Sequence, residues 1–153
     1  MNIEDILRLY PVHVCMLKNM RTMYDALISY GDVEAQKYSE RVDAGGSIKK
    51  PVEDYVQKKE SIQSRISELE ALTEPISALM FDLALGHVEG ILKDYIMLEI
   101  LKSHYWNNEP LIQTAQRLRL SRSRIRMYKD KLTGHAEKRY KERNRRKKLS
   151  QKP

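Results

Sequence analysis

Arg122, Ser123, Arg126 and Met127 form the densest group of side chains in this chain able to read another molecule. Arg122 and Arg126 are four residues apart, so on a helix they share a face. A guanidinium group can give two donors to O6 and N7 of guanine in a DNA major groove. These four residues are the candidate base readers. Arg117, Arg119, Arg124, Lys129 and Lys131 flank them and suit phosphate oxygens better than base edges. No acid occurs between Arg122 and Lys129. An ordinary solvated face would mix signs, so the charge pattern favours nucleic acid over a three-helix bundle that is merely basic outside.

Such side chains need a scaffold that projects them, and the surrounding spacing predicts one. Residues 91–105 read as a helix with Leu92, Ile96, Ile100 and Leu101 inward. Trp106-Asn107-Asn108-Glu109 reads as a turn, and Pro110 as an early position of a helix over 110–118. Arg119 and Leu120 turn the chain, and Ser121 suits the N-cap of a helix over 122–132. Ala115 is small where two helices would approach most closely. Leu118 and Leu120 would pack the turn, and Ile125, Tyr128 and Leu132 would face the core. This is helix-turn-helix spacing from Leu111 to Leu132. Beyond Gly134 the sequence suits a helix but lacks a continuous apolar stripe, and a frayed end is expected.

The chain's charge is divided unevenly. From Arg117 to Pro153 there are 16 Lys/Arg and 3 Asp/Glu, or +13; the other 116 residues hold 12 and 18, or −6; together they make the +7 of the 153-residue chain. A polyanionic partner is therefore implied for one end only, although a solvated, disordered tail would have the same composition. Few Gly and Pro, with many Leu, Ile, Lys, Arg and Glu, predict an all-α chain.

Upstream of this end, Ile3, Ile6, Leu7 and Tyr10 predict a short amphipathic helix over 2–10. Pro11 is expected to open a second helix running to about Tyr30. Its stripe would be Val12, Met16, Met20, Met23, Leu27 and Tyr30, and Gly31 would stop it. Residues 43–50 read as a loop. Pro51 opens a long helix whose seam runs Val52, Tyr55, Lys59, Ile62, Ile66, Leu69, Thr73, Ile76, Met80, Leu83. Alternating steps of three and four over more than four heptads are the coiled-coil signature. Pro75 is expected to kink or restart this helix. The two stripes either close as an antiparallel hairpin within one chain, the plainer reading, or share a seam between two chains as a homodimer. The expected organisation is a helical hairpin or coiled coil at 1–85, a hinge at 86–90 about Gly86 and Gly90, a helix-turn-helix at 91–135 and a basic extension at 136–153.

Other chemistry finds little support. No phosphate-cradling or dinucleotide-binding glycine motif and no HExxH occurs. His13, His87, His104 and His135 lack ligand spacing, so neither metal nor cofactor is expected. The single cysteine, Cys15, reads as a core thiol and excludes an internal disulfide. An enzyme is the class least expected. No apolar run approaches bilayer length, and Asn2-Ile3-Glu4-Asp5 is acidic where a secretion signal would be basic. A cytoplasmic protein without a membrane partner is expected.

Glu99-Ile-Leu-Lys-Ser-His-Tyr105, the turn, and Thr114-Ala-Gln-Arg-Leu-Arg-Leu-Ser-Arg-Ser-Arg-Ile-Arg-Met-Tyr128 together resemble region 4 of bacterial sigma-70-type factors. The resemblance covers about 45 residues. That family reads the −35 promoter element with its second helix and touches RNA polymerase with the same domain. By position, Arg122, Ser123, Arg126 and Met127 match the family's base-reading face, Arg126 best. Arg119 stands where that family commonly has a turn glycine, and Ser123 and Met127 replace its polar readers. Nothing upstream resembles the aromatic, basic segment that melts promoters. A helical N-terminal part before a region-4-like end is similar to phage late-gene transcription regulators of the RinA and ArpU kind. The resemblance implies a sequence-specific regulator of double-stranded DNA in a bacterial host cell, with RNA polymerase as a second partner. In this reading the basic end supplies affinity, and the helix at 122–132 supplies sequence choice. Two other readings remain open: a small-terminase-like DNA-packaging protein, and an RNA-binding antiterminator using the Arg-rich stretch from Lys138 to Lys148.

Overall fold

The computed structural model describes the backbone of residues 1–41 and 49–151, and the side chains of residues 1–31 and 53–151. Most of the loop expected at 43–50, and the Val52 side chain, lie outside the described residues. The described elements are all helical: α1 Ile3–Arg41, α2 Lys49–Ala84, α3 Ile91–Ile100, α4 Leu111–Arg117 and α5 Arg122–Ser150. The helix of α3 widens into a π-helical stretch over Leu101–Trp106 before the chain turns. Two compact units result, one of Met1–His13 with Ala71–Pro153 and one of Val14–Glu70. Their boundaries thus fall inside α1 and α2, not at the Gly86–Gly90 turn.

The first unit has one apolar core. Ile6 and Leu7 of α1, Ile76, Leu79 and Leu83 of α2, and Ile96, Met97 and Ile100 of α3 meet Leu101, Tyr105, Ala115, Ile125, Tyr128, Leu132 and Ala136. The inward positions expected at Ile96, Ile100 and Leu101 are buried, but Leu92 is 73% exposed and Met97 takes the inward place.

Pro11 does not separate two helices. It lies inside the single helix α1. A proline lacks the N–H that the carbonyl four residues earlier would accept. For Pro11 that carbonyl belongs to Leu7, and Trp106 Nε1–H donates to it instead at 3.0 Å. Tyr10 stacks on the Trp106 ring with centroids 5.6 Å apart. Its hydroxyl and the Ser77 Oγ share a hydrogen bond of 2.7 Å. A side chain distant in sequence thus satisfies the acceptor that proline orphans. Pro75 likewise lies within an uninterrupted α2.

The second unit pairs the remaining lengths of α1 and α2. Arg21 bonds Glu70 at 2.9 Å, and Gln63 Nε2 donates to the Tyr24 hydroxyl at 2.7 Å. Gly31 meets the Tyr55 ring. These partners descend α2 as they ascend α1, so the two lengths run antiparallel. Every described seam position of α2 from Tyr55 to Leu83 is at least half-buried. Of the expected α1 stripe, Met16, Met20 and Leu27 are half-buried but Val12, Met23 and Tyr30 are exposed, while His13 and Leu17 are buried and Tyr24 and Ile28 half-buried. Cys15 is exposed, not a core thiol. Gly31 does not end α1, which continues to Arg41. Its place is spatial, since a Cβ there would lie 2.2 Å from the Tyr55 ring.

Candidate nucleic-acid interface

Two turns of the same design set the first unit's helices. After α2, Gly86 N–H donates to Leu83 O and His87 N–H to Asp82 O. After α4, Arg119 N–H donates to Gln116 O and Leu120 N–H to Ala115 O. Both are the paired bonds of a Schellman motif, which needs a left-handed residue after the helix. Gly86 has φ 71° and Arg119 φ 56°. Arg119 therefore adopts the conformation that a glycine accepts most readily.

Ser121 then caps α5. Its Oγ accepts from Arg124 N–H at 3.3 Å and lies 3.2 Å from the Ser123 Oγ. Ile125, Tyr128 and Leu132 are buried. Arg122, Ser123, Arg124, Arg126 and Met127 fall on the opposite side and are exposed. Ser123, Arg126 and Met127 line one shallow groove with Asp130 and Lys131. The four candidate readers thus share the exposed side of the first turns of α5. The positive end of the helix dipole lies at this same end.

The flanking cations divide into two kinds. Among the described residues no carboxylate pairs with Arg119, Arg122, Arg124 or Arg126. Arg117 is held: it donates to Glu99 at 3.1 Å, to the Ser103 Oγ at 2.6 Å and to Glu109 at 3.5 Å. The Glu99 hydrogen bond, aided by Glu109, pushes its pKa above the usual arginine value despite some desolvation. Lys129 pairs with Glu4 at 3.2 Å, and Lys131 with Glu89 at 3.2 Å. His135 Nε2 stands 3.5 Å from the same Glu89 carboxylate. Burial alone would raise the Glu89 pKa, but Lys131 and His135 more than offset it and hold it below the ordinary 4.5. Sequence spacing could not show these partners, because each carboxylate comes from another element.

The end of α5 also differs from expectation. The helix does not fray after Gly134 but continues to Ser150. Ala136 is fully buried and Tyr140 packs against the core. Arg139 pairs with Asp82, and Arg143 Nε donates to Glu74 at 2.8 Å. Ion pairs to α2 thus continue the inward stripe where apolar residues run out.

His104 is half-buried and bonds the Glu109 carbonyl through Nδ1 at 2.9 Å. Among the described residues no three His, Cys, Asp or Glu side chains gather as a metal site, and no helix is long and apolar enough to cross a membrane. Compared with known protein families, with curated proteins and with solved structures, the chain finds no match.

Proposed function

We propose that this chain is a sequence-specific DNA-binding regulator of transcription, of the phage or prophage late-gene kind, acting in the bacterial host cytoplasm. In this reading α4, the Arg119 turn and the first turns of α5 are a helix-turn-helix like sigma region 4, and the antiparallel lengths of α1 and α2 are a helical hairpin. The observation that carries the reading is the acid-free, exposed start of α5, whose arginines lack described carboxylate partners. Arg122, Ser123, Arg126 and Met127 read base edges. Arg119 and Arg124 take phosphates directly. Arg117, Lys129 and Lys131 reach phosphates by exchanging a carboxylate partner. The contact with RNA polymerase rests on the resemblance alone.

Of the other readings, the RNA antiterminator draws less support, because the Arg-rich stretch it needs as a tail that folds on RNA is already a docked helix. Packaging would require a closed ring of subunits, which light scattering would detect. The direct test is selection of bound duplexes from random DNA by the purified chain. A recurrent sequence supports the reading, and recovery of random sequence overturns it.

A further inference from the structure

α5 carries a second, mainly cationic cluster beyond the proposed reading turn: Lys138, Lys141, Arg145, Arg146, Lys147 and Lys148, all exposed, with Glu142 the one acid among them. Asp130, Gly134 and Glu137, also exposed, separate it from Arg126. Ser123, Met127, Asp130, Gly134, Lys138, Lys141, Arg145 and Lys148 follow at steps of three and four, so both clusters look outward along one side.

Their separation is fixed. At 1.5 Å per residue, Arg126 and Arg145 lie about 28 Å apart along the axis. A helix crossing a major groove about 12 Å wide clears it in roughly eight residues at that rise, so in that orientation it has left the groove before Lys138. A disordered basic tail could fold back along the same duplex. This one is pinned to α2 by Arg139–Asp82 and Arg143–Glu74, with Ala136 and Tyr140 packed beneath. Asp130 is exposed between the clusters, and Glu137 pairs there with Lys141 at 3.2 Å.

We propose that the 138–148 face of α5 is a second, separate site for the phosphate backbone of duplex DNA, so that one chain bridges two duplex segments. The identity of the first duplex rests on the function proposed above; the second site does not.

The test uses the full chain, one duplex of selected sequence fixed on beads, and a fluorescent duplex of random sequence in solution at low salt. The chain should carry the fluorescent duplex to the beads. Lys141→Glu, Arg145→Glu and Lys148→Glu together should reduce that capture by at least about tenfold, with unchanged melting and an unchanged salt slope for the bead-bound duplex. A reduced slope with the loss of capture would mean one continuous surface and overturn the proposal. Capture that survives the triple change would place the bridge in a second copy and also overturn it. Capture that depends on these three residues, in a chain with no sequence preference, would uphold this site while ending the regulator reading. Failure of the chain to bind any duplex would end both.

Discussion

Arg119 occupies, in the turn after α4, the place that Gly86 occupies in the turn after α2: same hydrogen bonds, same left-handed backbone, φ 56° and 71°. One position has the residue suited to that conformation, and the other has a long cation. A left-handed L-residue costs about 1–2 kcal/mol. The cost is borne at the tip of the turn that leads into the candidate reading helix, where the Arg119 side chain is exposed.

Replacing Arg119 with glycine should therefore stabilise the fold. Relief of the backbone strain exceeds the roughly 0.5–1 kcal/mol that a more flexible unfolded chain costs. Thermal melting should rise by about 2–4 °C, while affinity for DNA falls modestly through loss of one cation. Gly86→Ala should do the opposite, because its Cβ would stand 2.8 Å from Ile91 Cγ1.

Trp106→Phe should destabilise by about 1–3 kcal/mol, because the Leu7 carbonyl loses the donor that replaces the missing N–H of Pro11. Pairing it with Pro11→Ala should recover part of that loss, since an alanine N–H can take the Leu7 carbonyl. Denaturant unfolding of the two single changes and the double change would show no coupling if this account of Pro11 is wrong.

Gly31→Ala should also destabilise, despite alanine's better helix propensity. The added methyl must displace the Tyr55 ring. With Tyr55→Ala in the background the sign should reverse, and melting of the four variants measures both.

The Glu89 carboxyl titrates below 4.5 in the folded chain because Lys131 and His135 outweigh its burial. A lowered carboxylate pKa contributes stability that is present above its unfolded value and lost as pH falls through the folded one. Glu89→Gln should therefore narrow the stability gap to the parent as pH falls below about 4.5, the gap being fuller above it. A gap independent of pH would contradict the pairing.

What was legible in the sequence is what periodicity encodes. Ile125, Tyr128 and Leu132 sit at helical spacing and are buried, and Ser121 has the chemistry of a cap and serves as one. The seam from Tyr55 to Leu83 follows the same rule. What escaped was held by polar partners distant in sequence. Pro11 looks like a break until Trp106 is known to face Leu7. The helix after Gly134 looks frayed because Arg139 and Arg143 do the work of apolar residues through Asp82 and Glu74. Gly31 looks like a stop because its reason is the Tyr55 ring. At the candidate interface, the outward side of Arg122, Ser123, Arg126 and Met127 followed from the apolar stripe opposite. The carboxylates that hold Arg117, Lys129 and Lys131 did not.

Whether the start of α5 reads bases is decided by the affinity of Arg126→Ala for a selected duplex and a random duplex, side by side at one salt concentration. A base reader should lose about 1–3 kcal/mol on the selected duplex and far less on the random one. Equal losses on both would make Arg126 a phosphate contact and not a base reader.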